Sequence, residues 1–551
     1  MPTPDHPLHL FRNIALCFSG GGFRAAGYSL GVLSYLNHVK FNGNTLLSHV
    51  KALSTVSGGT ITGVAYAKAA AQGVSFDNFE KQIYDFLNNK DLLEMALTKL
   101  SDDAFWKQTS KKRTLINAFA LGYRELVDTD EFDLFDQNKP GLEDVVFNAT
   151  DCSYGLAFRF KNSDMFGNYR LFSKQLTALS KKIKLADIIA SSSCFPMGFA
   201  PIIMPDDFID DHRSKLYTDV KGLIDFENGL GLMDGGIVDN QGIGSIRLAD
   251  SNRPVDNKFD LILVCDVSSY KMEPWQPSSM EVDKPLLNKT LQHYRLQIDK
   301  KIKAWWWIIL PVLISVVSIV FGTINHPLII ASAGVFGAIS LVAIVVKVIL
   351  SYAKGKVEKE WEALMSPKLI PKVISKVIPK FERLRLRLLK RMLTERFSSS
   401  LKMVNDMFLK QIRRLNYRLL YTDEALTNRR SSAMIYDLTE AQYTNSVSDE
   451  QDKVVHPASI PNPGYKIYEI AEAASSFATT LWFTKKDRED QMLDKLVTCG
   501  QFTVCYNLLK YCLDLKKDGA DVDQTELDEV TKLLKADWER FIDDPYWLLK
   551  A

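Results

Sequence analysis

The chain has 551 residues, 46% of them apolar and 24% charged, with a net charge of +2. That length allows more than one folding unit, and so even a charge balance excludes any argument for nucleic-acid binding from charge alone. The seven cysteines show no zinc-type pairing and several lie in apolar runs, which points to reduced, buried thiols in a reducing compartment rather than a disulfide framework. The N-terminal Met1-Pro-Thr-Pro-Asp-His-Pro lacks the basic-then-apolar order of a cleaved secretory signal.

From residue 10 to about 275, short apolar strands alternate with helical periods, the pattern of an α/β sheet protein. Residues 14–18 read as a strand that breaks into Gly20-Gly21-Gly22, and 27–36 continue as a helix. Residues 50–56 form the next strand, ending at Ser57-Gly58-Gly59, and 58–71 a helix of small residues that can pack closely on a sheet. The stretch 76–134 is helical, charged and amphipathic, suited to cap a site. Residues 261–267 are apolar throughout, as a strand buried on both faces would be.

Residues 305–346 change character. Residues 305–322 and 328–346 are both uncharged, and Asn325-His326-Pro327 separates them. Each is long enough at about 1.5 Å per residue to cross a hydrocarbon core of about 30 Å, so the pair reads as a transmembrane hairpin. Lysines flank it at Lys300, Lys301 and Lys303 and at Lys347, Lys354 and Lys356, and Trp305-Trp306-Trp307 fits an interfacial belt. By the positive-inside rule the rest of the chain faces the cytoplasm. Residues 354–420 are then helical and basic, and the lysines and arginines between Lys368 and Arg391 suit a helix lying on anionic lipid. A solvated charged face is the competing reading. Residues 431–438 resemble one more strand, 470–483 and 497–515 helices, and 524–549 a terminal amphipathic helix.

Ser57 ends an apolar strand at a glycine-flanked turn, where a strained backbone exposes a hydroxyl at a helix N-terminus. Gly20, Gly21 and Gly22 offer backbone N–H groups uncovered by side chains, as an oxyanion hole requires. None of the eight histidines occupies such a turn, so the candidate base is Asp234, in Gly231-Leu-Met-Asp-Gly-Gly-Ile-Val-Asp-Asn-Gln-Gly242. Partial burial and direct hydrogen bonding to the serine would make it adequate. The spacing of Asp234 and Asp239 does not match a calcium loop. Arg24 reads equally well as a support for the loop, a binder of an anionic headgroup, or a surface salt bridge.

These blocks, Ser19-Gly-Gly-Gly-Phe-Arg24, Ser57-Gly58-Gly59 and Asp234-Gly235-Gly236, followed in the same order, resemble the patatin-like phospholipases. A fourth block, Ile189-Ala-Ser-Ser-Ser-Cys-Phe-Pro-Met-Gly-Phe-Ala-Pro201, looks like the family's small-residue helix and proline turn. The resemblance implies a three-layer α/β/α sheet domain, Ser57 as nucleophile, Asp234 as base, Gly20, Gly21 and Gly22 as the oxyanion loop, and no metal or other cofactor. Two positions depart from the family pattern. Thr55 stands where the nucleophile motif carries its first glycine, and Gly242 where the aspartate block ends in proline.

The expected architecture is a main catalytic part at 10–290, a transmembrane hairpin at 300–350, a basic helical segment at 354–420, completion of the catalytic domain at 425–515 and a C-terminal helical segment at 516–551. The expected protein is an integral membrane lipid acyl hydrolase that cleaves glycerophospholipid esters on the cytoplasmic side. Its partners are membrane phospholipid as substrate and membrane lipids along the hairpin, with no nucleic acid. Acyl transfer, neutral-lipid or lysophospholipid hydrolysis with the same dyad, or an inactive membrane scaffold, are the competing functions.

Overall fold

The short apolar runs at 14–18 and 261–266 lie in the middle of an eight-stranded mixed sheet in the computed structural model. The structure describes residues 8–137, 141–162, 166–171, 174–196, 198–224, 228–268, 275–277, 285–303, 306–321, 352, 383–444, 457 and 459–550. In chain order the strands are Ile14–Phe18 (β1), Val50–Val56 (β2), Asp144–Asp151 (β3), Leu156–Lys161 (β4), Ile202–Met204 (β5), Leu230–Asp234 (β6), Leu261–Asp266 (β7) and Arg430–Met434 (β8). In space they run β8-β7-β1-β2-β3-β6-β5, with β4 paired to β3. The strands from β8 to β3 are parallel, and β4, β6 and β5 add to them antiparallel.

Successive side chains of a strand point to opposite faces, so each inner strand feeds two apolar layers. Leu16 and Phe18 of β1 join a core that includes residues of the helices Gly22–His38 (α1) and Gly58–Ala71 (α2). Ala15 and Cys17 face the opposite layer, with Ile243, Ile246 and Ala249 of Ile243–Asn252 (α3) and Leu420 of Leu409–Tyr421 (α4). The result is a three-layer α/β/α domain. The first layer is completed from the far end of the chain by Tyr465–Ser476 (α5) and Met492–Lys517 (α6). There α1 and α6 approach backbone to backbone, because Gly31 lies on the Val497 carbonyl and Gly500 on the Tyr28 carbonyl. A methyl group at either glycine would force them apart.

The strand order also sets up the site. Residues 146–151 of β3 pair with β4 along one edge, so β2 and β6 must share the other. β2 runs parallel to β3 and ends with Val56 opposite Asn148. β6 runs antiparallel and ends with Asp234 opposite Ala149. The two strands therefore arrive from opposite directions at adjacent rungs of one ladder, and the residues at their C-terminal ends meet head to head.

Residues 1–273 and 404–551 make up one compact unit, which holds the whole sheet, and 274–403 make up another. Within the second unit, the first of the two apolar spans forms the helix Trp306–Phe321, with Pro311 inside it. Among the described residues no helix is long and apolar enough to cross a membrane. The other span, 328–346, and the lysine-rich part of the basic segment before residue 383 lie outside the described residues. The expected transmembrane hairpin, and with it the integral-membrane placement, thus finds no support. Beyond residue 383 the basic segment is helical at Leu386–Lys402 and again at α4.

One helix ends earlier than its apolar pattern indicates. The apolar spacing predicts a helix over 470–483, but α5 stops at Ser476. The carbonyls of Ser475 and Phe477 are taken by Arg24 Nη1 at 3.0 and 2.7 Å, and the Thr480 carbonyl accepts the Phe23 N–H at 2.7 Å. Carbonyls drawn to another element cannot close the next helical turn. All seven cysteines are free thiols, six of them buried.

Candidate active site

Ser57 occupies the tight turn between β2 and α2. Its φ of +51° with ψ of −122° is a strained conformation for a residue with a Cβ. The turn is held in place on several sides. The Ser57 N–H donates to Ser192 Oγ at 2.9 Å, and that hydroxyl donates in turn to the Asn148 carbonyl at 2.7 Å. Gly58 rests directly on the backbone of Gly22, so the nucleophile turn and the glycine loop touch without intervening side chains.

Thr55 lies in β2 rather than in the turn, fully buried. Its Cγ2 packs against Gly63 of α2, and its hydroxyl is 2.9 Å from Thr60 Oγ1, itself 2.9 Å from Ser192 Oγ. The bulk absent from a glycine at this position is therefore absorbed by a glycine one helical turn into α2. The departure at Gly242 has a similarly local cause. Gly242 has φ of +71°, which proline, fixed near −65°, cannot adopt. Its carbonyl accepts the Ser54 hydroxyl at 2.8 Å, and a side chain there would collide with that hydroxyl.

Asp234 is 3% exposed at the end of β6. Its backbone N–H donates to the Cys194 carbonyl at 3.0 Å, its carbonyl accepts Thr150 Oγ1 at 2.8 Å, and one carboxylate oxygen accepts the Gly236 N–H at 2.7 Å. Burial disfavours the charged form and raises the pKa from 3.8 to about 6, while hydrogen bonds from the Ser57 hydroxyl and the Gly236 N–H offset only part of that rise. The helix Leu185–Ser192 and the residues after it thus hold both partners, Ser57 through the Ser192 hydroxyl and Asp234 through the Cys194 carbonyl. The block 189–201 contained this signal as a run of small residues, but not the role of Ser192.

Of the three loop glycines, Gly20 is already engaged, its N–H donating to the Asn240 carbonyl at 2.9 Å. Among the described residues the Gly21 and Gly22 N–H groups have no hydrogen-bond partner. Gly22 takes φ of +58° and lies under the Thr479 and Thr480 carbonyls, so the 475–482 segment forms a strap over the loop. Arg24 anchors that strap and is itself buried, with its pKa lowered by burial to about 10 against the opposing pull of Asp266. Its contacts make it a support of the loop and strap rather than a surface salt bridge. Asp239 accepts the Gly244 N–H at 2.7 Å and Asn416 Nδ2 at 3.0 Å, ordering the start of α3.

Ser57, Asp234, Gly20, Gly21, Gly22 and Arg24 all line one cavity of about 480 Å³. Phe195, Phe199, Leu481 and Trp482 give it an apolar wall, and Lys410 and Arg413 of α4 stand on another side. Arg413 is tied down by Asp266 at 2.7 Å and the Tyr436 hydroxyl at 2.8 Å. Burial works against the Asp266 charge, yet Arg413 and the Ser268 N–H hold its carboxyl below the usual range. No histidine lines the cavity among the described residues, and none of their His, Cys, Asp and Glu side chains form a cluster suited to a metal ion.

Residues 16–245 match the family model of patatin-like phospholipase. The chain carries a patatin-like phospholipase domain. The match begins within β1 and takes in the glycine loop, the Ser57 turn and Asp234, and it ends before Ser268, α4 and the 475–482 strap, which also line the cavity in this protein. No curated protein matches the sequence. Among solved structures, the chain is 14% identical to human GIVD cytosolic phospholipase A2 over 47% of its own length and 46% of that chain, with a TM-score of 0.30. It is 13% identical to VipD from Legionella pneumophila over 56% and 55% of the two lengths, with a TM-score of 0.25. The chain thus spans about half the length of each, and neither likeness is close enough to bear on the chemistry of the patatin-like site.

Proposed function

We propose that this patatin-like domain is a lipid acyl hydrolase in which Ser57 and Asp234 act as a catalytic dyad. The observation that carries the reading is the convergence of a strained serine turn, a buried carboxyl with its pKa raised to about 6, and two unpaired loop N–H groups on one cavity. A glycerolipid ester enters with its acyl chain along Phe195, Phe199, Leu481 and Trp482. The Ser57 oxygen bonds to the ester carbonyl carbon while its proton passes to Asp234, which at neutral pH is mostly ionised. The Gly21 and Gly22 N–H groups face the developing oxyanion, each donor worth about 2.7–4 kcal/mol where such groups have been removed from a serine protease. Asp234 returns the proton to the leaving alkoxide, and the acyl group remains on Ser57. Water then gives its proton to Asp234 as its oxygen bonds to the acyl carbon, and Asp234 passes that proton to the Ser57 oxygen as the fatty acid leaves, which restores the serine hydroxyl and the carboxylate.

Arg24 has no direct part in this sequence, because two carbonyls of the strap occupy one end of its guanidinium. It keeps the strap over Gly22 and so preserves the loop conformation on which the oxyanion donors depend. The experiment that tests the proposal is fatty-acid release from phosphatidylcholine vesicles by the wild-type protein and by Ser57→Ala. Release that is lost in the variant supports the dyad, and release unchanged in the variant removes Ser57 from the mechanism.

A further inference from the structure

Helix α4 has two faces with different fates. Its inner side lines the cavity with Leu409, Lys410 and Arg413, and it is fastened to the domain by Asn416 on Asp239 and by Arg413 and Tyr417 on Asp266. Its outer side, continued from the turn before it, exposes Met407, Phe408, Gln411, Arg414, Leu415, Arg418 and Leu419. These positions recur at the spacing of one helical stripe. Met407, Phe408, Leu415 and Leu419 are each more than half exposed, at 55%, 56%, 54% and 52%. Scattered single exposed leucines need no explanation, but four large apolar side chains aligned along an anchored helix and the π-helical turn that leads into it do.

We infer that this stripe is the surface by which the domain docks on an anionic lipid bilayer, with the mouth of its cavity against the lipid. Two observations select that occupant. The exposed side of residues 409–421 carries Arg414 and Arg418 and no carboxylate, so the helix presents cations between its apolar side chains. Arginines at the edge of an apolar stripe pair with lipid phosphates while their stems and the neighbouring leucines enter the acyl boundary. The second observation is continuity, since the helix that bears the stripe on one side forms the cavity wall on the other. A lipid drawn toward Ser57 crosses about one helix diameter, 10–12 Å, rather than open water. The inference rests on the proposed lipid hydrolase activity for its purpose, but the surface can be tested without catalysis.

The test is co-sedimentation of the full-length protein with phosphatidylcholine vesicles, with and without phosphatidylserine. It compares wild type, Ser57→Ala, Arg414→Glu/Arg418→Glu and Leu415→Ser/Leu419→Ser, and thermal unfolding checks that each variant is folded. Reversing two charges lowers partition onto the phosphatidylserine vesicles by about tenfold or more and flattens its salt dependence. Replacing the two leucines lowers partition onto both kinds of vesicle, and Ser57→Ala binds as wild type does. If both double variants are folded and sediment with vesicles as wild type does, the docking surface is refuted even if the wild type hydrolyses lipid. Vesicle binding by Ser57→Ala that depends on the stripe, with no hydrolysis by wild type, retains the surface and removes the enzyme reading. A wild-type dimer that dissociates in Leu415→Ser/Leu419→Ser makes the stripe a contact between copies and overturns the inference.

Discussion

Replacing Asp234 with asparagine keeps the shape of the side chain and removes its charge, which makes opposite demands on activity and stability. The wild-type carboxyl is buried, and its pKa is raised from 3.8 to about 6 in the folded protein. Below pH 3.8 it is protonated in both folded and unfolded chains and costs nothing. Between those values the unfolded chain gives up the proton first, and above pH 6 the folded protein holds a buried charge. At about 1.36 kcal/mol per pKa unit that charge costs about 3 kcal/mol at pH 7 and less than about 1 kcal/mol at pH 4. Asp234→Asn is relieved of this cost, and its Oδ1 can still accept the Gly236 N–H. Urea unfolding of both proteins should therefore show the variant gaining about 1–3 kcal/mol on wild type as pH rises from 4 to 7. The variant should also lose hydrolysis, and wild-type kcat/KM should fall about tenfold per pH unit below pH 6, where the base is protonated. A stability difference that is flat from pH 4 to 7, or a rate profile with no inflection near 6, would refute the reasoning.

Three further substitutions probe how the turn is built. Gly63→Ala puts a methyl group onto Thr55 Cγ2 and should cost about 1–3 kcal/mol by thermal unfolding, a loss that Thr55→Gly in the same chain should largely restore. Gly242→Pro, which restores the family's usual residue, should leave little folded protein by circular dichroism, because φ of +71° is closed to proline. Ser192→Ala leaves the Ser57 N–H without its acceptor at a buried turn, so it should destabilise by about 1–3 kcal/mol and lower kcat more than it changes KM.

Which residues meet at the cavity was legible because strand ends and glycines are local features. An apolar run that stops at Ser57-Gly-Gly or at Asp234-Gly-Gly announces a tight turn whatever follows it. That the two turns face one another was legible only through family resemblance, since it depends on β2 and β6 sharing one edge of β3. No spacing in the chain encodes that. Ser192 was hidden among three consecutive serines, and only the backbone shows which hydroxyl reaches Ser57. The strap at 475–482 has the sequence of a helix because its apolar spacing continues past the point where Arg24 and Phe23 draw its carbonyls away. Residues 305–322 have the composition of a membrane span, and their described part forms the helix Trp306–Phe321 with a proline inside it.

The central claim is that the Ser57 oxygen becomes acylated with Asp234 as its base. The most direct measurement is mass spectrometry of the intact protein after brief exposure to a phospholipid that carries a slowly released acyl group. The account predicts one added acyl mass on wild type, mapped to the peptide containing Ser57, and none on Ser57→Ala or Asp234→Asn. Acylation that maps to another residue, or that persists in Ser57→Ala, would contradict it.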